Sequence, residues 1–147
     1  MRRTAFAAVV VASIVILPAS APAATKMLSA TPTKVSFGTR PVGSFTLKGV
    51  TITNASSETI NLLVSTAREP DDFSFGLLPG STCPVFAPEA LAPGDSCVAI
   101  MGFRPSEFFA GEKQFATLLA TATDPSTGAV LDSVMINFIG RGRLPGG

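Results

Sequence analysis

The sequence predicts an all-β fold, an antiparallel β-sandwich of about seven strands. Three observations predict it. Beyond Ala24 the amphipathic helix period is missing. In its place, short runs rich in Val, Ile, Phe, Thr and Leu alternate with clusters of Gly, Pro, Asn, Asp and Ser. These runs spread over roughly 110 residues, the length of one two-sheet domain.

The first two dozen residues stand apart. Arg2 and Arg3 form a basic start, Ala5 to Leu17 is an uncharged apolar run, and Ala21-Pro22-Ala23 offers small residues for cleavage before Ala24. That is the three-part pattern of a secretory signal peptide, residues 1–23. The apolar run is shorter than the about 20 residues that span a bilayer, so no stable membrane insertion is expected after cleavage. No cysteine follows it, which argues against a lipoprotein. Residues 24–33 read as a lead-in, 34–142 as the domain and 143–147 as a short tail.

Within the domain, Lys34 to Phe37 reads as the first strand, ended by Gly38. Phe45 to Asn54 is the second. Val50 and Ile52 share one face there, while Phe45 and Leu47 have the opposite parity, so a bulge is expected at Gly49. Asn54-Ala55-Ser56-Ser57 is a turn whose short polar side chains bond their own backbone. Its first three residues also fit the glycosylation triplet. Thr59 to Ser65 is the third strand, Arg68 to Asp72 a polar loop, and Phe73 to Leu77 a short fourth strand. Gly80 to Gly94 reads as loop.

Cys97 to Phe103 alternates well and directs Cys97, Ala99, Met101 and Phe103 to the core. Lys113 to Thr123 is a strand by composition, with its register open because Leu118 and Leu119 are adjacent. Asp124-Pro125-Ser126-Thr127-Gly128 is a hairpin turn. Val130 to Ile139 closes the domain with Val134, Ile136 and Phe138 on one face. Seven short strands at this spacing fit an immunoglobulin-like sandwich.

At 147 residues there is room for one domain. Without Arg2 and Arg3 the formal charge moves from +1 to −1. That balance argues against nucleic acid, which is bound through a basic patch. Cys83 and Cys97 are the only cysteines. Export favours a disulfide between them over two buried thiols. The loop of about 15 residues would be worth about 3 kcal/mol in the chain-entropy model.

The chain has no histidine, tyrosine or tryptophan. It therefore lacks the commonest general base and metal ligand, and a Ser-His-Asp or Cys-His site is ruled out. Ser96 beside Asp95 has no base and reads as a turn residue. Asp71 and Asp72 could hold calcium with loop carbonyls, but adjacent loop acids are more often simply solvated. Glu107 and Glu112 could be an acid pair, and nothing in the sequence sets them at catalytic separation. The expectation is no catalysis and no cofactor.

Several segments in order then carry a resemblance. Val35-Ser36-Phe37-Gly38 is followed by Pro41-Val42-Gly43, then Val50-Thr51-Ile52-Thr53-Asn54, then Asp72-Phe73-Ser74. Cys83 precedes Leu91-Ala92-Pro93-Gly94-Asp95-Ser96-Cys97, then Phe103-Arg104-Pro105, Gly111 and Gly140-Arg141-Gly142. Together they resemble the ASH-type (ASPM/Hydin-like) immunoglobulin-like domain, called choice-of-anchor D in bacteria. That family is related to the PapD and major-sperm-protein group. The resemblance implies an interaction or scaffold module without catalysis. The chain departs from the pattern in a longer Pro105 to Gly111 connection carrying Phe108 and Phe109, in its single copy, and in its tail after Gly142.

Phe108-Phe109 is the foremost candidate partner contact. Two adjacent aromatics on one loop cannot easily both be buried. Either one ring caps the core and the other lies on a neighbouring loop, or one is an exposed anchor, with Phe109 the first choice. A second candidate is strand addition along Val134–Ile139, which has no proline, if it lies at an edge. The expected function is an exported, non-catalytic binding or scaffold module in the periplasm, envelope or extracellular space. It would act on an unidentified protein. One alternative is a fimbrial-type subunit, whose only candidate arm, Ala24 to Thr33, has poor composition for a strand. A small metal-dependent or hydrolytic enzyme is the other.

Overall fold

The computed structural model describes residues 15–16, 26–67 and 74–146. The signal peptide, its cleavage site, Asp71, Asp72 and Phe73 lie outside the described residues. Among those described, no helix is long and apolar enough to cross a membrane.

Among the described residues nine strands form two sheets. They are β1 Leu28–Thr31, β2 Lys34–Pro41, β3 Thr46–Asn54, β4 Ile60–Ala67, β5 Phe75–Leu77, β6 Glu89–Leu91, β7 Ser96–Phe103, β8 Lys113–Thr123 and β9 Val130–Arg143. One sheet runs β1-β3-β7-β5, the other β2-β9-β8-β4-β6. The architecture is the expected immunoglobulin-like sandwich, with two more strands than the roughly seven expected. β1 lies in the lead-in and β6 inside the stretch read as loop. Both are short edge pieces, and their partners rather than their composition make them strands. β1 pairs with β3 from Leu28↔Asn54 to Thr31↔Thr51, and β6 pairs with β4 over three residues. β9 extends to Arg143, the first residue assigned to the tail.

The sandwich is not wholly antiparallel. After β1 the chain crosses to the other sheet, where β2 lies parallel to β9 from Lys34↔Asn137 to Pro41↔Arg143. Two edge strands from one N-terminal segment thus bind both sheets. Asp132 of β9 ties down the start of β1, its carboxylate accepting from the backbone N–H of Met27 and Leu28 at 2.9 Å each. Burial alone would raise the pKa of this carboxyl. The N–H donors of Leu28, Met27 and Ser133, with Lys26 nearby, outweigh that and lower it.

The expected bulge at Gly49 is absent: β3 pairs with β7 in unbroken register from Thr46↔Phe103 to Thr53↔Ser96. Phe45 and Leu47 simply face outward, both more than half exposed. Gly49 instead gives room to Val98, whose Cγ1 would lie 3.3 Å from a Cβ there. The bulges fall between Ser36 and Gly38 and between Ala122 and Thr123. At the first, Gly38 takes φ +67°, and both Val35 and Phe37 are buried.

The core follows the period-two pattern. Cys97, Ala99, Met101 and Phe103 of β7 are buried, as are Ile136 and Phe138 of β9, with Val134 packed against them. The open register of β8 resolves to Gln114, Ala116, Leu118, Ala120 and Ala122 inward, with Leu119 outward. Phe37, Phe75, Phe103 and Phe138 cluster at one end, with ring centroids 4.7 to 6.3 Å apart.

Asn54 is fully buried and acts as a bracket. Its Nδ2 donates to the carbonyls of Glu58 and Leu91, while its Oδ1 accepts from the N–H and hydroxyl of Ser56. The glycosylation triplet therefore has no free amide. The Asp124 turn is also as expected. Asp124 Oδ1 accepts from the hydroxyl and N–H of Ser126 and the N–H of Thr127, which lowers its pKa.

Candidate functional site: an aromatic turn and an open groove

The end of the sandwich above the phenylalanine cluster is sealed by Pro105, which is buried and lies over Gly142. Beyond it the chain makes a short 3-10 helix, Glu107–Phe109. That helix is held from both sides. Gly111 donates its N–H to the Gly142 carbonyl, and Ala110 bridges to Gly142. On the other side the Phe109 carbonyl accepts from the Glu112 N–H at 3.1 Å and from Gln114 Nε2 at 3.3 Å.

The two adjacent rings differ. Phe108 is 85% exposed; Phe109 is half-buried. Neither belongs to the core, so the expectation that one would cap it is not met. Phe103 already fills that end, and Pro105 closes it. Phe108, rather than Phe109, is the outward ring. Glu107 and Glu112 flank it and are both exposed. Among the described residues no group of three or more His, Cys, Asp or Glu could hold a metal.

The sheet edges differ in how they are closed. Val134–Ile139 is not at an edge: β9 lies between β8 and β2. β2 is an edge but is blunted, since Lys48 Nζ and Arg40 Nε donate to the carbonyls of Ser36 and Phe37, both at 2.7 Å. Beyond β5 the edge of β7 is met by an irregular segment, through the backbone N–H groups of Leu78 and Thr82 on the Ile100 and Val98 carbonyls and through side chains. The Ser81 and Thr82 hydroxyls accept from the N–H groups of Ile100 and Val98. The Cys83–Cys97 disulfide follows at once and ties this segment to β7.

On the same side, β6 covers β4 only at Ile60–Leu62, and the Pro84 carbonyl takes the Val64 N–H. Among the described residues no strand pairs with that edge of β4 beyond this point. A groove of about 570 Å³ opens there, lined by Val64, Thr66, Leu77, Leu78 and Val85. At its rim Phe86 is 99% exposed. No sequence signal singled out this groove, because its walls come from three separate elements. Phe86 between Pro84 and Pro88 was the one local hint.

No family model matches this chain, and no curated protein sequence matches it. Solved structures do. The ASH/PapD-like domain of human CEP192 is similar, with a TM-score of 0.61 at 10% identity over 88% of this chain and 94% of that one. WR4, a C. elegans MSP family member, matches with TM-score 0.54 at 10% identity, over 79% of this chain and 99% of its own. The E. coli chaperone DraB matches with TM-score 0.53 at 15% identity, over 78% of this chain and 54% of its own. The chain thus spans about half of that chaperone. At these identities the likeness shows the fold, the one shared by the ASH, PapD-like and MSP group that the sequence resembles.

Proposed function

We propose that this chain is an exported, non-catalytic immunoglobulin-like module that binds another protein through the Phe108 turn. The carrying observation is an exposed aromatic ring on a turn bonded to both neighbouring strands. Such a ring loses little freedom on binding, and buried aromatics can dominate an interface. The Phe109 carbonyl, accepting from Glu112 and Gln114, holds the turn. The basic start, apolar run and small-residue site at the N-terminus support export, as does a disulfide in the domain. The chaperones among the similar folds fit a protein partner in the periplasm or beyond.

Cross-linking and pull-down from the native envelope or medium tests this. The parent chain should capture a partner that Phe108→Ala loses, with the unfolding midpoint unchanged. Equal capture by both chains would overturn the role of Phe108.

The groove favours a second reading, in which an extended segment of the partner adds beside β4 under Phe86. Phe86→Ala would then lower capture while Phe108→Ala would not. A fimbrial-type subunit is less well supported. From Leu28 onward the candidate arm is used in the domain's own sheet.

A further inference from the structure

Three cations stand together at one end of the second sheet, although the chain as a whole is nearly neutral. Arg141 and Arg143 are exposed at the end of β9, alternating with buried Gly140 and Gly142. Lys113 faces Arg141 across the β8–β9 ladder, and Thr39 faces it from β2. Like charges directly opposite one another in a sheet repel, so this row is unfavourable without an anion. None of the three side chains has a hydrogen bond or ion pair among the described residues. Arg141 also lies where two open hollows meet. One, of about 220 Å³, is lined by Lys113 and Ile139; the other, of about 430 Å³, by Arg143 and Ala110; Thr39 and Arg141 line both. The walls are low because Gly38 and Gly111 stand there, each with open space where a Cβ would be. The two hollows form one trough along the end of β9, and no acid lines it.

We infer that this trough binds an extended acidic segment of a protein partner, with acids at two alternate positions and an apolar residue at the next. In an extended chain the side chains of one face recur every second residue, about 7 Å apart, which is also the spacing of Arg143 and Arg141. A segment laid along β9 sets its first acid on Arg143. Its second falls between Arg141 and Lys113. The third side chain meets Ile139 and Phe115, which share the next row, with Phe115 56% exposed. In the row after that, exposed Lys34 stands beside Asn137 and suits a polar or acidic residue. The apolar row argues against a uniform polyanion such as nucleic acid, which would set a phosphate over Ile139. A lone phosphate would use Lys113 and Arg141 and leave Arg143 and the apolar row idle. The contact is small, so binding is weak and sensitive to salt. The inference rests on the protein-partner reading and deepens it: Ala110, in the wall of the trough, is two residues from Phe108, within reach of the same partner.

An NMR titration of the isotope-labelled chain, recovered as its cell processes it, tests this. The probe is the end-capped peptide Leu-Ser-Glu-Ser-Glu-Ser-Leu, which reads the same in both directions and so fits either orientation. The control, Leu-Ser-Ser-Glu-Glu-Ser-Leu, has the same composition with its acids adjacent. The probe should move the amides of Thr39, Lys113, Arg141 and Arg143 saturably at low salt. It should bind about tenfold more tightly than the control, the effect of one charge-assisted contact. Arg141→Gln should weaken it by a similar factor with the unfolding midpoint unchanged, and Arg141→Lys should restore part of the loss. Inorganic phosphate should leave these amides in place. Absence of saturable shifts at millimolar peptide would overturn the inference. So would equal binding of the two peptides, undiminished binding by Arg141→Gln, or equal shifts with phosphate. Phe108→Ala should leave peptide binding intact. If the peptide fails while Phe108 still governs partner capture, the trough is rejected alone; if the peptide binds while Phe108→Ala captures normally, the role of the turn is rejected alone.

Discussion

The ring of Phe103 occupies the place where a side chain at Gly140 would have to go. A Cβ on Gly140 would come within 2.5 Å of two of its carbons, and Pro105 stands in the same relation to Gly142 at 2.8 Å. Phe103 at the end of β7 and Pro105 just beyond it thus fit two glycine holes at the end of β9. Gly140→Ala should lower the unfolding free energy by about 1–3 kcal/mol through overpacking. Phe103→Leu in that background should recover part of the loss, as a double-mutant cycle in denaturant would show. Additive effects would mean the two sites are not in contact.

Asn54→Ala should cost about 1–3 kcal/mol, because it takes the amide donor from the Leu91 carbonyl and leaves the Glu58 carbonyl to the Ser56 hydroxyl alone. Denaturant midpoints measure this. The parent should also carry no glycan mass at Asn54 even when produced in a glycosylating host.

Asp132 makes the anchoring of β1 depend on pH. Its folded pKa lies below the ordinary value, so its contribution is present above the unfolded pKa and is lost as pH falls. Stability should decline below about pH 4, and Asp132→Ala should flatten that decline. At neutral pH the variant should lose about 1 kcal/mol, and the amides of Met27 and Leu28 should exchange faster.

Reducing the Cys83–Cys97 bond should lower the unfolding free energy by about 3 kcal/mol. The local effect should fall on Val98 and Ile100, whose N–H groups are bonded to Thr82 and Ser81 just before Cys83. Hydrogen exchange would show it first at those two amides. Two titratable thiols in the unfolded, non-reduced protein would contradict the bridge.

Much of the fold was legible where a single strand faces core on one side and water on the other. The alternation of Cys97 to Phe103 and of Val134, Ile136 and Phe138 placed those residues correctly because burial imposes period two. What depends on a partner was not legible. β1 and β6 are strands because β3 and β4 lie beside them. Gly49 looked like a bulge because Phe45 and Leu47 are apolar, yet they face outward. The last glycines looked like a closing motif, whereas their reason is the bulk of Phe103 and Pro105 across the sandwich. The choice between Phe108 and Phe109 rests on how Gly142 holds the turn, a contact far away in sequence.

The parallel course of β2 and β9 has a mechanical consequence. A pull on the chain from both sides of the domain draws β2 by its start and β9 by its end, so the two strands are dragged past each other lengthwise. Their ladder from Lys34 to Pro41 is then loaded all at once instead of bond by bond. A domain built this way resists tension far better than an antiparallel hairpin peeled from its open end.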